Sequence, residues 1–366
     1  MARRSVIFWN LARLFGSAGS PIQQALSLND ASALATAQEV AAKISVIAAT
    51  IDAIAATDGP PLLVGLAEIE STELAKRIAK SVTTVKLTAI DTTAKDETGL
   101  ALDGLNISLL LDRRFFNGNI RLRSHVVDRT FDTRDILEAD LGFTDGRPTV
   151  SVLVNHWPSR LSPEAEAQRI AAAHYVRRLF EDKVRFSLRE MWNAGQARLE
   201  IPTRKKLLER ARQPVIIMGD FNDEVFDDAL AVLRSTPDCE SVLDDLLIRG
   251  RRKSERFRSY VASTPQLFNP FWALVGKGSY YRSPRWRTYD QILLSRGVLE
   301  GAAKNPIAFV SDSMKVQNLR KVRLPDGNEF ELTNRGGKPV KYDHKRRRGC
   351  SDHFPVSTIM EIADAS

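Results

Sequence analysis

The sequence predicts an α/β fold, and two observations carry that prediction. Short apolar runs recur along the whole length, and those at residues 149–154 and 215–218 are nearly continuous, as expected of central strands that are covered on both faces. Longer segments with helical spacing lie between the runs. The 366 residues are 43% hydrophobic and contain no repeat or low-complexity linker, so we expect one domain over 1–366 with a sizeable core.

Seven strands are predicted in chain order. They span residues 6–9, 62–66, 107–111, 149–154, 215–218, 291–295 and 356–360. Most of their positions hold the β-branched, aromatic or other apolar side chains that are typical of strands.

Two helical regions are predicted between the strands. Residues 30–56 are rich in alanine and carry one apolar stripe, which Asn29 or Asp30 could cap. The stripe consists of Val40, Ile44, Ile47, Ile51 and Ile54. The second region begins near Pro163, with acidic residues in its first turn, and is divided by Gly195 and Pro202. Its charge favours a solvated helical hairpin, which we treat as an insertion over about 163–212.

Composition narrows the class of protein. The net charge of +8 and a pI of about 9.5 favour polyanionic partners such as nucleic acid or an anionic membrane face. Cys239 and Cys350 allow one disulfide but not a secreted disulfide framework. Arg3 and Arg4 precede a short apolar run as in a signal peptide, but Asn10 interrupts it, so a first strand is the better interpretation. No transmembrane segment is expected, and we expect a cytoplasmic protein.

Polar residues that can do chemistry stand directly after four predicted strands. Asn10 follows the first strand, Glu68 the second, Asn155 and His156 the strand at 149–154, and Asp220 the strand at 215–218. A strand fixes such a group while its tip stays accessible, and α/β proteins place their sites there.

Two further segments add candidate catalytic groups. Asp352 and His353 precede the last strand, where an aspartate supplies a hard oxygen ligand and a histidine binds phosphate or carries a proton. Asp290 precedes another strand and could orient a histidine. In residues 155–160, His156 is followed by the hydroxyl of Ser159 and by Arg160, which suits bidentate phosphate contact.

The order of these motifs resembles the endonuclease/exonuclease/phosphatase superfamily, which includes pancreatic deoxyribonuclease, apurinic endonucleases, sphingomyelinases and inositol polyphosphate 5-phosphatases. The Gly-Asp-Phe-Asn sequence at 219–222 and the Ser-Asp-His-Phe-Pro sequence at 351–355 carry it most specifically, and it covers nearly the whole chain. The resemblance implies a four-layer αβ-sandwich, with two packed mixed β-sheets flanked by helices.

The resemblance also implies a metal site. Glu68 would be the principal ligand of Mg²⁺, or of Mn²⁺, with Asn10 beside it. Asp352 would be a further ligand or would hold a water on the metal. Oxygen ligands of this kind suit these two metals and not zinc. Whether one or two ions act stays open.

The catalytic roles come from the same resemblance. Asp220 would orient and deprotonate the attacking water, and Asn222 would bind the phosphate or position that water. His156 would donate to a phosphate oxygen, and His353, held by Asp290, would do so from the other side. Placement and charge stabilisation then provide most of the catalysis.

Two departures from the family pattern stand out. Family members often place an acidic partner for the first histidine near residues 107–111, where Asn106 or Asp103 is the nearest candidate here. The segment before Asp352 is also longer than the minimal fold needs. We treat it as a basic insertion over about 315–348, because residues 318–348 carry ten Lys or Arg against four Asp or Glu.

Three basic stretches favour nucleic acid as the substrate, with DNA favoured over RNA. They are residues 249–258, the stretch 277–289 in which cations alternate with aromatic residues, and residues 345–348. Aromatic rings among cations can stack bases while the charges follow phosphates. Little sequence specificity is expected. The predicted substrate contacts are Asn155, Ser159, Arg160, Tyr280, Tyr281, Arg282 and Trp286.

The resulting hypothesis is a metal-dependent phosphodiesterase, specifically a nuclease. The alternative is a phosphatase or phosphodiesterase for a small or lipid phosphate ester such as an inositol phosphate or sphingomyelin. Residues 268–272 are then the one candidate for a membrane contact. An inactive nucleic-acid-binding protein is the alternative from another class, and the full set of catalytic residue types argues against it. Strand type, mode of attack and oligomeric state stay open.

Overall fold

The computed structural model describes residues 1–16, 36–90, 106–116, 118–127, 136–191, 204–243, 263–300 and 305–363. The longer strands are β1 (Ala2–Leu14), β2 (Pro61–Ile69), β4 (Asn106–Asp112), β5 (Ile120–His125), β6 (Ile136–Leu141), β7 (Val150–His156), β8 (Val215–Asp220), β13 (Asp290–Leu294) and β18 (Val356–Ile362). The short strands are β3 (Leu87–Ala89), β9 (Ser235–Thr236), β10 (Leu267–Phe268), β11 (Tyr280–Arg282), β12 (Arg285–Arg287), β14 (Ile307–Phe309), β15 (Lys315–Val316), β16 (Lys321–Arg323) and β17 (Glu329–Glu331). The helices are α1 (Ala37–Asp58), α2 (Thr72–Ser81), α3 (Ala165–Val184), α4 (Arg204–Ala211), α5 (Asp228–Val232), α6 (Cys239–Leu243) and α7 (Arg296–Leu299), and Pro270–Leu274 form a 3₁₀ turn.

Two mixed β-sheets form the centre of the molecule. In the first sheet the strand order is β14-β18-β1-β2-β4-β3, and β15 also pairs with β18. In the second sheet the order is β5-β6-β7-β8-β13-β10-β9. Each sheet has a parallel pair near its middle, β1 with β2 and β7 with β8, and antiparallel neighbours on both sides of that pair. All seven predicted strands are present.

The buried apolar side chains fall into three large clusters that separate four layers. The cluster between the sheets takes Val6 and Phe8 from β1, and Val152 and Ile216 from β7 and β8, all fully buried. A second cluster joins the outer face of the first sheet to α1 and α2, and a third joins the outer face of the second sheet to α3 and α5. The predicted four-layer sandwich of two mixed sheets flanked by helices is therefore confirmed.

Helix α1 begins later than the sequence predicts. Thr36 caps it and forms a capping box with Glu39, so the helix starts at Ala37 and not near residue 30, while Asn29 and Asp30 lie outside the described residues. By length and composition alone α1 could cross a membrane, contrary to the expectation that no segment could. It packs instead as a core helix, and 61% of its most apolar stretch of 18 residues is buried.

The basic insertion is a folded module that covers α1. Strands β16 and β17 pair as a hairpin, and Val322, Phe330, Leu332 and Tyr342 join the apolar cluster of α1. This contact explains why α1 is apolar over so wide a face, since it is enclosed between the first sheet and the insertion.

Helix α3 differs from the solvated hairpin predicted for this region. Its buried residues include Ala172, Val176 and Phe180, which pack on the outer face of the second sheet. The sequence prediction was wrong because charged residues on the solvent face mask the apolar positions. Cys239 and Cys350, both described, are free thiols and form no disulfide.

Candidate active site

The predicted catalytic residues meet at one edge of the two sheets. His156 and Asp220 are the last residues of β7 and β8 and lie directly opposite each other in the register. Asp290, the first residue of the antiparallel strand β13, also lies opposite Asp220. Asn10 on β1 and Glu68 on β2 reach the same place from the first sheet, since Asn10 is hydrogen-bonded both to Glu68 and, across the sheets, to Asp220.

Asn10 and Glu68 lie at irregularities in their strands and not after the strand ends. β1 continues to Leu14, but its register with β2 shifts after Asn10, where Ala12 and Arg13 have φ values of 48° and 64°. Glu68, with φ 60°, lies at a similar shift in β2. Non-glycine residues rarely adopt positive φ. Bulges of this kind re-aim side chains beside functional sites.

The amide of Asn10 bridges the two sheets. Its Nδ2 donates to Glu68 Oε1 at 3.3 Å and to Asp220 Oδ2 at 3.0 Å, while its Oδ1 accepts from the backbone of Ala12 at 2.9 Å. The amide nitrogen therefore faces the carboxylates. Direct ligation of a cation through the Asn10 oxygen would require the amide to turn over.

Asp220 is the central carboxylate of the site and is almost completely buried. The backbone N–H of Asn222 donates to its Oδ1 at 3.0 Å, and Oδ2 lies 3.8 Å from His156 Nε2 and 3.9 Å from His353 Nε2. Burial and the nearby charge of Asp290 raise the pKa of Asp220 to about 7, with His353 acting in the opposite direction. A carboxylate with such a pKa can accept a proton near neutral pH.

His353 is held by a buried carboxylate behind it. Its Nδ1 lies 2.7 Å from Asp290 Oδ2, and the Ser279 hydroxyl donates to the same oxygen. Burial lowers the pKa of His353, but Asp290 and Asp220 outweigh burial and raise this pKa to about 10. At neutral pH the ring is therefore cationic, and Nε2 presents a proton toward Asp220.

His156 faces the first sheet as well as Asp220. Its Nε2 lies 3.6 Å from Glu68 Oε1. The predicted acidic partner cannot be placed, because Asp103 and the side chain of Asn106 lie outside the described residues. The two imidazoles thus approach Oδ2 of Asp220, and His156 is also close to Glu68.

Two groups of side chains could hold a metal ion. Glu68 and Asp352 retain 16% and 30% exposure of their side chains, so each carboxylate is accessible to an incoming cation. Asp220, Asp290 and His353 form a second, buried group whose ligand atoms lie within 4.8 Å of one another. In this group Asp290 Oδ2 and His353 Nδ1 are already bonded to each other, while Asp290 Oδ1 has no hydrogen-bond partner and His353 Nε2 faces Asp220. Hard carboxylate oxygens with an open mouth fit Mg²⁺ better at Glu68.

Arg160 is engaged in positioning the Asn222 turn. Its guanidinium donates to the backbone carbonyl of Asn222 at 2.7 Å and to Asp223 at 2.6 Å, and it also contacts Asp227. The Asn222 side chain donates to the carbonyl of Trp157 at 3.0 Å, at a φ of 51°. Arg160 is one-third exposed, so substrate contact stays a prediction, while its contacts here hold a strained turn.

Of the other predicted substrate contacts, Asn155 is placed differently. Its side chain is fully buried, donates to the carbonyls of Leu153 and Met218, and accepts from the Trp157 indole. The structure therefore does not favour a substrate contact for Asn155, because its amide is buried and already bonded within the second sheet and to Trp157. Ser159 is exposed, as is Arg282, and their roles stay predictions.

The aromatic residues of the predicted nucleic-acid stretch lie on a hairpin over the site. β11 and β12 pair with each other, and Tyr280 forms a bridge to His353. The rings of Tyr280 and His353 stack at 4.6 Å between centroids. Tyr281 and Trp286 lie opposite each other on the hairpin, with their centroids 5.2 Å apart.

Four supporting residues were not predicted from sequence. Ser279 holds Asp290, Ser351 donates to the backbone carbonyl of Asn10 at 2.6 Å, and the Trp9 indole donates to the carbonyl of His353 at 2.9 Å. Buried Lys43 of α1 donates to the carbonyls of Leu11 and Ala12 at 2.8 and 3.3 Å. For Lys43 a signal existed, since it is a lysine on the apolar stripe; for Ser279 none did.

The comparisons with known proteins agree with this architecture. A family model described as the Endonuclease/Exonuclease/phosphatase family matches residues 5–187 and 197–362. No curated protein sequence matches the chain significantly.

The solved structures that resemble this chain share little sequence with it. An endonuclease/exonuclease/phosphatase family protein from Bacteroides thetaiotaomicron is 11% identical, with 98% of each chain covered and a TM-score of 0.50. A mannosyl-6-phosphatase from Bacteroides thetaiotaomicron VPI-5482 is 11% identical, with 98% of this chain and 100% of that chain covered and a TM-score of 0.50. TDP2 from D. rerio, humanized by 14 mutations, is 14% identical over 98% and 99% of the two chains, with a TM-score of 0.48.

Proposed function

Because the chain belongs to the endonuclease/exonuclease/phosphatase family, whose members hydrolyse phosphoric esters, we propose that it is a metal-dependent nuclease. The observation that carries this proposal is the position of Asp220. Its buried Oδ2 lies within 4 Å of two imidazoles and 3.0 Å from Asn10, next to the carboxylate of Glu68. In this proposal Asp220 is the proton acceptor, the two histidines are the proton donors, and Glu68 provides an oxygen for the cation.

Asp220 is the general base of the proposed reaction. Its Oδ1 is fixed by the Asn222 N–H, which leaves Oδ2 to orient a water and take its proton. The raised pKa of Asp220 suits it to accept the proton of this water near neutral pH. The water oxygen then attacks phosphorus, the bond from phosphorus to the leaving oxygen breaks, and that oxygen leaves with the electron pair.

The histidines stabilise charge on the phosphate. His353 is cationic and its Nε2 points into the site, since Asp290 occupies Nδ1. His156 Nε2 approaches from the opposite strand. A donor on each side compensates the negative charge that develops on the phosphoryl oxygens, in a pocket where such contacts are worth more than in water.

Glu68, with Asp352, would hold Mg²⁺ or Mn²⁺, and Asn10 would support that site after its amide turns. The ion supplies positive charge that polarises the phosphate and stabilises the leaving oxygen. Lys341 Nζ lies 3.7 Å from Asp352 Oδ2. The carboxylate oxygens of Glu68 and Asp352 suit a hard divalent cation.

Two features support nucleic acid, with DNA favoured, as the substrate. The β11–β12 hairpin presents aromatic rings beside the catalytic histidine. The basic insertion brings Lys338 and Lys341 to the same edge, as their contacts with Tyr281 and Asp352 show. Proteins that bind a nucleic-acid strand without sequence specificity usually combine aromatic rings with neighbouring cations.

The proposal is tested with labelled single- and double-stranded DNA and RNA in Mg²⁺ or Mn²⁺, each with an EDTA control. Bis-p-nitrophenyl phosphate, inositol phosphates and a sugar phosphate are assayed in parallel. We expect metal-dependent cleavage of a nucleic acid. If the enzyme turns over the small esters alone, it is a phosphatase or small-ester phosphodiesterase, and the proposed nuclease activity is wrong.

A further inference from the structure

The two faces of the β11–β12 hairpin look into different spaces. Tyr280 stacks on His353 and therefore belongs to the catalytic side. Tyr281 and Trp286 face away from it, because side chains alternate along a strand. Trp286 stacks on Phe354, the neighbour of His353, at 5.9 Å between centroids. The hairpin thus forms a partition between the catalytic residues and a second space.

The second space is a cavity of about 410 Å³ between the hairpin and the basic insertion. Trp286 and Phe354 line one part of it, Leu274 and Met314 another, and Gly337 of the insertion a third. This volume lies within the range of small-molecule sites, and aromatic lining with a few polar groups is their usual composition.

Charge around this cavity is of one sign. Lys277 and Lys315 line it, and no acidic residue of the described chain does. Lys315 is paired with Asp58 at 2.6 Å, and Lys277 is exposed.

A pair of lysines on the insertion connects the cavity to the metal site. Lys341 Nζ lies 3.7 Å from Asp352 Oδ2, and its side chain is 41% exposed. Lys338 follows Gly337 in the chain, and its Nζ lies 3.6 Å from the centroid of the Tyr281 ring. Lys341 thus lies beside Asp352, while Lys338 lies over the Tyr281 ring and next in sequence to Gly337, which lines the cavity.

We propose that this edge is a nucleotide-binding subsite, which takes the nucleotide next to the bond that is cut. Lys341 and Lys338 bind its backbone phosphate, and the cavity beside Trp286 takes its base. The subsite rests on the proposed nuclease function and specifies how the substrate is held. The flat base of one nucleotide matches the aromatic lining, and its phosphate matches the cations. Such binding needs no side chains that recognise a particular base.

The substrate side of the test uses an oligonucleotide that the wild-type enzyme cleaves. One set carries a single neutral methylphosphonate linkage at successive positions around the cleavage site, and a second set carries a single abasic nucleotide. We expect one linkage at which loss of charge raises KM about fivefold. We expect one adjoining position at which loss of the base raises KM about tenfold.

The protein side of the test asks whether those effects belong to the named residues. In Lys338→Ala the sensitive methylphosphonate should no longer differ from the normal linkage, and in Trp286→Leu the abasic nucleotide should no longer differ from the normal one. Lys321→Ala is the matched control, because Lys321 lies on the same insertion but contacts Glu329 of its own hairpin at 2.8 Å, whereas Lys341 and Lys338 contact Asp352 and Tyr281. It should keep the wild-type sensitivity at both positions. Thermal unfolding establishes that each variant is folded.

Lys341 requires one additional measurement, since it lies beside a predicted metal ligand. If Lys341→Ala changes the Mg²⁺ concentration for half-maximal rate and leaves the methylphosphonate effect intact, Lys341 serves the metal and not the phosphate.

The proposal is overturned if no position of the oligonucleotide shows either effect, or if the variants keep both. Failure of the nuclease proposal looks different, because then the wild-type enzyme cleaves none of the oligonucleotides.

Discussion

A buried carboxylate behind a histidine determines the charge of the site. Asp290 is fully buried, and its Oδ2 contacts both His353 and Ser279. A buried carboxylate is costly unless it is paired, and the imidazolium of His353 provides the pairing. His353 is therefore a cation across the whole neutral range. Burial and the negative charge of Asp290 raise the pKa of Asp220.

Replacing Asp290 should shift the pH dependence of catalysis. The pKa of His353 is raised, so the histidine stays protonated until the pH approaches about 10. In Asp290→Asn the main cause of this rise is removed, and we expect the alkaline limb of the kcat/KM profile to move down by about one to two pH units. Ser279→Ala keeps the Asp290 charge and should move the limb less. An alkaline limb that is unchanged in Asp290→Asn would show that it does not report on His353.

A second buried acid stabilises the fold away from the active site. Glu138 on β6 is 3% exposed, and it contacts His125 at 2.6 Å, Lys183 at 2.5 Å and Arg123 at 3.2 Å. Burial raises the pKa of Glu138, but the His125 hydrogen bond and the cations outweigh it and lower this pKa to about 2. The ionised form is thus favoured in the folded chain.

The sign of this shift fixes a stability prediction. A depressed pKa stabilises the fold fully above the unfolded value of 4.5, and the contribution disappears as the pH falls toward 2. Glu138→Gln should therefore lower the unfolding free energy by about 3 kcal/mol at neutral pH, and by progressively less between pH 4.5 and pH 2. Urea unfolding of both proteins at several pH values measures this difference. A difference that does not vary with pH would mean that the effect is packing and not charge.

At the scale of elements, α1 supports the strand irregularity that presents Asn10. Lys43 is 2% exposed and directs its ammonium at the carbonyls of Leu11 and Ala12, in the segment where Ala12 and Arg13 have positive φ. Burial lowers the pKa of Lys43, while the negative charges of Glu68 and Asp352 oppose that shift. Helix α1 therefore stabilises the positive-φ backbone of Ala12 and Arg13 in β1, a conformation that non-glycine residues disfavour.

Removing this support should weaken both the fold and the metal site. In Lys43→Met the carbonyls lose their donor, and we expect the unfolding free energy to fall by about 1–3 kcal/mol. The Mg²⁺ concentration for half-maximal rate should rise severalfold as Asn10 and Glu68 lose their placement. Lys76→Met, on the exposed face of α2, is the matched control and should change neither quantity. If Lys43→Met loses stability but keeps the wild-type Mg²⁺ dependence, Lys43 supports the fold alone.

An element could be predicted where the residues that determine it are neighbours in the sequence. The strand at 215–218 and the residues after it were readable because apolar runs and turn residues adjoin in sequence. The stacking of Tyr280 on His353 could not be predicted, since which face of a two-stranded hairpin meets His353 depends on a partner more than sixty residues away. The start of α1, which Thr36 caps, was predicted too early, because alanine has a high helix propensity and the sequence before Thr36 is rich in alanine.

At the scale of the whole molecule, the site exists only when the two sheets are packed. Asn10 and Glu68 belong to the first sheet, and His156, Asp220 and Asp290 to the second. The interior cluster between the sheets fixes their separation, as interiors are close-packed. The sequence showed these residues as strand-end groups, and the family resemblance assembled them. The burial of Asn155 could not be predicted, because it depends on which strand face looks inward.

Metal binding between the sheets should stabilise the whole fold. A cation that binds the folded chain alone adds about 2.7 kcal/mol to the unfolding free energy at one hundred times its Kd. We expect Mg²⁺ to raise the midpoint of thermal unfolding of the wild-type protein and to have little effect on Glu68→Gln. The comparison with Asp228→Asn, an exposed acid on α5, controls for general charge. Equal responses in all three proteins would place the cation elsewhere.

The central claim is that Asp220 activates water for attack on a phosphodiester. The most direct test is the single-turnover cleavage rate of a labelled oligonucleotide in saturating Mg²⁺, for wild type, Asp220→Asn and Asp228→Asn, with thermal unfolding of each. We predict that Asp220→Asn folds and binds the oligonucleotide but loses about 10²–10⁴-fold in rate, as expected for a general base, while Asp228→Asn retains the wild-type rate. A folded Asp220→Asn protein that cleaves at the wild-type rate would contradict the account.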